Sequence, residues 1–306
     1  MKLRDLITEP CAMLDVAHFQ GASIPWQQCR DLGIRAVVIK WWHGPWRNQP
    51  SVAQQQYREA KAAGLLVGRY AWWVPNASID AQITAWLSDP WPDDDLPLCI
   101  DMEDPALAKG PATLAAAVRI VEALEQATGR KPIIYSGAWW ADAWLGTVSP
   151  ELARCPYWHA AYPRKAARGV DYAGAVQEWL AQDAPRLPAI WAAERPVAWQ
   201  LDGTDDATGT GALRLPNGVD TDCNLADWAA LTALVPAYHR DTDPAPFDPT
   251  PPALRLAPTE VPSLEDVLQG LTEPPPDSTK PTNPGTPSSI STSSLRAVRP
   301  EEDPPP

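Results

Sequence analysis

From residue 11 onward the chain repeats one pattern: a short run rich in apolar, β-branched or aromatic residues, then a longer helical or loop stretch. The runs are 11–17, 36–42, 66–73, 97–104, 131–137, 157–162, 196–202 and 218–224, which makes eight candidate strands. Helical patterns follow the early runs at 26–32, 51–63, 78–87 and 111–128, most of them closed by a glycine, the usual C-terminal stop. Strand–helix alternation requires parallel strands joined by crossovers. Eight such strands in about 220 residues predict a closed TIM-type barrel. The last connection, 203–216, is polar and turn-rich and reads as an antiparallel hairpin. The expected fold is therefore α/β, a TIM-like barrel of mixed (β/α)5(β)3 type.

The pattern stops before the end of the chain. Of 36 prolines in 306 residues, 17 fall from Asp241 on, whereas all 16 tryptophans lie at or before Trp228. The chain thus divides into a barrel, 1–238, and a Pro/Ser/Thr-rich acidic tail, 239–306, too poor in apolar surface to offset chain entropy and read as disordered. One amphipathic stretch in it, 263–271, begins with a capping box at Ser263 and Asp266. The tail is a candidate linker or docking segment.

A net charge of −13 argues against nucleic-acid binding and against docking on anionic membranes. No apolar run approaches the roughly 20 residues of a membrane span, and no signal-peptide core is visible at the start. Synthesis in the cytoplasm is the localisation expected. Five scattered cysteines without a C-x-x-C and four histidines without ligand spacing read as reduced core cysteines and no metal site. No cofactor is expected, and the protein is expected to be a monomer.

In barrels of this type the reacting groups sit at the C-terminal ends of the strands. There the sequence offers Asp15 on the first strand, Asp101 and Glu103 on the fourth, and Asp220 and Asp222 on the eighth. Residues two apart on a strand share a face, so Asp101 and Glu103 enter the mouth together. Clustered carboxylates push one another's pKa values apart, which acid-assisted glycosidic cleavage requires. Asp93-Asp-Asp95 lies at the opposite end and reads as a solvated loop. His18 and His43 lie near the mouth, as structural or substrate-contacting side chains. Three adjacent tryptophan pairs, 41–42, 72–73 and 139–140, sit at strand ends. Strand alternation makes one member of each face away from the core, where an indole can stack on a sugar ring.

These residues resemble glycoside hydrolase family 25, the Chalaropsis-type muramidases. The resemblance runs from about residue 12 to 235 through Leu14-Asp-Val-Ala-His-Phe-Gln-Gly21, Gly33-Ile-Arg-Ala-Val-Val-Ile-Lys40, Ala63-Gly-Leu-Leu-Val-Gly-Arg-Tyr70, Leu96-Pro-Leu-Cys-Ile-Asp-Met-Glu103, Lys131-Pro-Ile-Ile-Tyr-Ser136, Trp199-Gln200 and Val219-Asp-Thr-Asp-Cys-Asn224. It implies cleavage of the β-1,4 bond between N-acetylmuramic acid and N-acetylglucosamine in bacterial peptidoglycan. It implies Glu103 as general acid, Asp101 as stabilising partner, Asp15 as the strand-one carboxylate, and either Asp220 or Asp222 as the strand-eight carboxylate. Tyr70, Trp72, Tyr135, Trp139, Tyr162 and Gln200 are the candidate substrate-binding residues. Two segments depart from the family: Lys40-Trp-Trp-His-Gly44 and Tyr70-Ala-Trp72 exchange polar groups for bulk and point to altered subsites. A glycan-binding barrel without activity, or a phage particle component docking through its tail, are the alternatives.

Overall fold

The computed structural model describes residues 1–88, 94–161, 176–177, 179–200 and 222–236, with the side chains of Asp222 and Cys223 excepted. The Pro-rich tail, with its 263–271 segment, lies outside the described residues.

Eight strands close into a barrel: β1 (Pro10–Val16), β2 (Ile34–His43), β4 (Leu66–Trp72), β5 (Cys99–Asp101), β6 (Ile133–Gly137), β7 (Tyr157–Ala160), β8 (Ala198–Gln200) and β9 (Asp222–Asp227). A two-residue strand, β3 (Trp46–Arg47), adds to the upper end of β2. The ring runs β1-β9-β8-β7-β6-β5-β4-β2 and closes through β1–β2. All pairings within it are parallel except the two made by β9, which runs against both β8 and β1. Helices α1 (Trp26–Asp31), α2 (Pro50–Ala62), α3 (Ile79–Leu87), α4 (Pro111–Thr128) and α5 (Ala138–Trp144) follow the first five barrel strands, as the mixed topology requires. Two shorter helices, α6 (Pro150–Ala153) and α7 (Trp228–Ala233), are also described.

Strand alternation sorts the side chains into two cores. Cys11, Met13, Val38, Cys99, Ile133 and Trp158 pack together inside the barrel. Leu14, Val37, Ile39, Ile100 and Ile134 face out and are covered by apolar residues of the helices, among them Trp26, Tyr57, Ile120 and Val121. Removing this surface from water at roughly 25 cal/mol per Å² is the main force holding helices to sheet. Cys11, Cys29, Cys99 and Cys155 are buried and form no disulfide. No described helix is long and apolar enough to cross a membrane.

Three expectations are corrected here. The eighth strand, described over Asp222–Asp227, runs past the expected end at 224, and 218–221, Asp220 among them, lie outside the described residues. Trp41 and Trp42 are both buried in the outer core, because a register shift between Lys40 and Trp42 breaks the alternation. The 72–73 and 139–140 pairs do split: Trp73 and Trp140 are buried, Trp72 is half-buried and Trp139 exposed.

The third correction concerns Asp94 and Asp95, which are buried and not solvated. Asp94 accepts a 2.7 Å ion pair from Arg69, itself buried. Asp95 pairs with Lys61 at 2.7 Å and accepts the Val67 backbone N–H at 2.8 Å. Arg130 donates to the Asp94, Asp95 and Leu234 carbonyls and thereby ties the loop to the last helix. Asp94 and Asp95 thus clamp the N-terminal end of the barrel, and Asp93 lies outside the described residues. An arginine cannot shed its charge when its partner is removed. Asp94→Ala should therefore cost about 3–5 kcal/mol of folding stability. Urea unfolding measures this directly, and an unchanged midpoint would show that the clamp is dispensable.

Candidate active site

Barrel strands β1, β2, β5, β8 and β9 deliver the charged and amide residues of the mouth. On β1, Cys11, Met13 and Asp15 alternate inward, so two apolar layers lie below one carboxylate. On β5 the same alternation puts Cys99 below Asp101, and Glu103 follows two residues on. The chain stays extended past Asp101 because the Met102 N–H donates to the Tyr135 carbonyl at 2.9 Å, and the Ser136 hydroxyl holds the Met102 carbonyl at 2.7 Å. Asp101 is buried and Glu103 half-buried.

Asp15 is held by two amides. Gln200 Nε2 donates to its Oδ2 at 3.2 Å and Asn224 Nδ2 at 2.9 Å. Each amide is itself fixed: the Tyr135 hydroxyl donates to Gln200 Oε1, and Trp158 Nε1 donates to Asn224 Oδ1 at 3.0 Å. Asp101 has no such support. Its Oδ1 is buried without a hydrogen-bond partner among the described residues. Burial, aided by the negative charges of Glu103, Asp15 and Asp104, holds its carboxyl well above the usual carboxylate range, against the pull of Lys40.

Among the described residues, Lys40 is the cation of this site. It stands on β2 beside Tyr70, its ammonium 4.5 Å from the Trp72 ring centre and 5.6 Å from that of Tyr70. Burial pushes it down from the usual ammonium range, opposed by Asp101, Glu103 and Asp15. One cation thus faces three carboxylates in a partly desolvated pocket. Such a cluster binds protons as a unit and keeps one at pH values where isolated carboxyls are ionised. That is the chemistry of a general acid beside a charge-stabilising partner.

A sequence family matches this arrangement. The model of glycosyl hydrolases family 25 aligns with residues 14–189, which span Asp15, Lys40, Asp101 and Glu103. The chain belongs to this family. A bacterial lysozyme from Streptomyces coelicolor superposes with a TM-score of 0.57 at 25% identity, covering 74% of this chain and 98% of that one. A muramidase from Trichobolus zukalii superposes with a TM-score of 0.55 at 22% identity, covering 74% and 99%, and supports the fold. A curated relative, the uncharacterized protein YegX of Escherichia coli K12, is 29% identical over 155 residues, 49% of this chain. The chain spans about half the length of that relative, 55%.

Within this family 25 barrel the expected residues divide clearly. Asp15, Asp101, Glu103 and Gln200 come together with Lys40 and Asn224 at the mouth. Tyr70 and Trp72 line it from β4, both half-buried. Tyr135 is buried and acts on Gln200. Trp139 is exposed on the first turn of α5, its indole nitrogen beside Gly137. The Asp222 backbone pairs with Asp15 across β9 and β1. Tyr162 and Asp220 lie outside the described residues. Lys40 is not marked in the sequence as a site residue: a lone lysine carries no signal until its carboxylate neighbours are known. His43 stacks on Trp72 at 6.1 Å, and burial and Lys40 together lower its pKa. Among the described residues no cluster of His, Cys, Asp or Glu could hold a metal ion.

The raised pKa of Asp101 has a stability consequence. The folded protein holds that proton more tightly than the unfolded chain, so the contribution is fully present below about pH 4 and is lost as pH rises through the folded pKa. Asp101→Asn removes the titration. The variant should match wild type near pH 4 and exceed it in thermal midpoint at pH 7–8. A difference that does not change with pH would refute the assignment.

Proposed function

We propose that this chain is a peptidoglycan hydrolase, a muramidase that cleaves the β-1,4 bond between N-acetylmuramic acid and N-acetylglucosamine. The observation that carries the reading is the Asp101–Glu103 pair at the end of β5, closed in by Asp15 and Lys40. The lysozyme and muramidase identities of the superposing structures support it.

In this reading the proton held by the cluster resides on Glu103, the more exposed carboxyl, when the glycan is bound. Glu103 gives it to the glycosidic oxygen as the bond breaks. Asp101 then carries the negative charge, beside the anomeric carbon where positive charge develops or against the N-acetyl group it orients. Asp15 is held in place by its two amide donors. Lys40 limits the repulsion among the three carboxylates, so that only part of the cluster is protonated.

Exposed Trp46 and Trp139 favour a second reading, a glycan-binding barrel without turnover. One digest separates the two. Purified peptidoglycan treated with wild type should yield fragments ending in reducing N-acetylmuramic acid by mass spectrometry. Glu103→Gln should release them at least about 100-fold more slowly while unfolding at the wild-type temperature. Equal release by both proteins would remove Glu103 from the mechanism. Binding without release by the wild type would establish the second reading.

A further inference from the structure

Strand β2 outlasts its neighbour β1. Their pairing ends at Val16 and Ile39, and beyond it β3 takes the vacated edge of β2. The sheet therefore rises above the barrel mouth as a short wall, β3-β2-β4-β5. One row crosses it in register: Trp46 opposite His43, His43 beside Trp72, and Trp72 beside Asp101. Residues paired in this way share a face of the sheet, so the row lies on the face that carries Asp101. With strands about 4.8 Å apart, Trp46 stands roughly 14 Å from Asp101 along the wall.

The wall is stiff. Gly44 turns the chain from β2 into β3 with φ +58°, and a side chain there would collide with Val74 and the Trp46 ring. The Gly44 N–H donates to the Trp72 carbonyl at 2.8 Å, and Trp86 Nε1 donates to the Gly44 carbonyl at 2.8 Å. Arg47 lies 4.4 Å from the Trp42 ring centre and locks the hairpin onto the two buried indoles. Yet Trp46 is 53% exposed. A large aromatic held rigid in water loses little entropy when it meets a ligand. Its placement is not random. The exposed large aromatics among the described residues, Phe19, Trp46 and Trp139, each follow the C-terminal end of a barrel strand, on the face that holds the carboxylates.

We infer that Trp46, His43 and Trp72 form an aromatic track that binds a run of N-acetylated sugar rings leading away from the scissile bond. The occupant is a glycan because the row starts at Asp101 in the carboxylate pocket, and flat aromatic faces suit the apolar faces of pyranose rings. The inference rests on the glycan-hydrolase reading of the same mouth. It adds chain-length preference: long strands fill the track, short ones do not reach Trp46.

The test compares peptide-free peptidoglycan tetrasaccharide and octasaccharide, with full-length wild type, Trp46→Ala and Trp46→Tyr. The ratio of kcat/KM for the octasaccharide over the tetrasaccharide should fall about five- to tenfold in Trp46→Ala and return largely in Trp46→Tyr. An unchanged ratio overturns the track. A second arm measures octasaccharide binding calorimetrically to Glu103→Gln, with and without Trp46→Ala. Loss of affinity of the same size supports the track even if the wild type cleaves neither sugar, an outcome that would sink only the hydrolase reading. Equal affinities overturn the track whatever the cleavage result.

Discussion

Strand β9 enters the barrel against the direction of both neighbours, and the site depends on that reversal. A parallel strand would present its C-terminal end at the mouth. The antiparallel β9 presents its N-terminal end there, which sets Asp222 opposite Asp15 and Asn224 opposite Met13. Asn224 then spans the seam, donating to the Asp15 carboxylate and to the Met13 carbonyl at 3.2 Å while accepting from Trp158. One buried amide thus links the first and last barrel strands, and it fixes the carboxylate at the same time. Barrel closure and the organisation of the site are one set of hydrogen bonds.

The carboxylates on either side of that seam are treated differently. Asp15 is satisfied by amide donors and sits in a supported network. Asp101 is buried with an orphaned oxygen and answers chiefly to charges. A well-satisfied Asp101 would be more stable and less able to hold a proton. The strain is local, and the rest of the fold offsets it. The opposite end of the barrel is clamped by Arg69, Asp94, Asp95 and Arg130, and the outer core is continuous with the helices. Concentrating instability in the mouth and rigidity elsewhere is a common arrangement of enzyme scaffolds.

Much of this was legible in the sequence, for identifiable reasons. Seven strands were visible because buried parallel strands read as apolar β-branched runs, the eighth, antiparallel one only through its overlap at 222–224, and α4 was visible to the residue because Pro111 opens it and Gly129 closes it. The D-x-E signal of Asp101 and Glu103 survived because strand alternation is rigid. What failed depended on partners distant in the chain. Asp94 and Asp95 looked solvated because Arg69 and Arg130 lie 25 and 36 residues away. The Trp41–Trp42 pair misled because a bulge is set by register with β4, which local periodicity does not encode. The wall of β3 is two residues long and offers no period to detect. Lys40 acquires meaning only from three carboxylates on other strands.

A crystal structure of Glu103→Gln with a bound peptidoglycan tetrasaccharide tests the account most directly. The account predicts the glycosidic oxygen within about 3.2 Å of the residue 103 amide, with the anomeric carbon or the N-acetyl group of the same sugar against Asp101. A glycan seated away from the end of β5, with residue 103 touching no sugar atom, would contradict it.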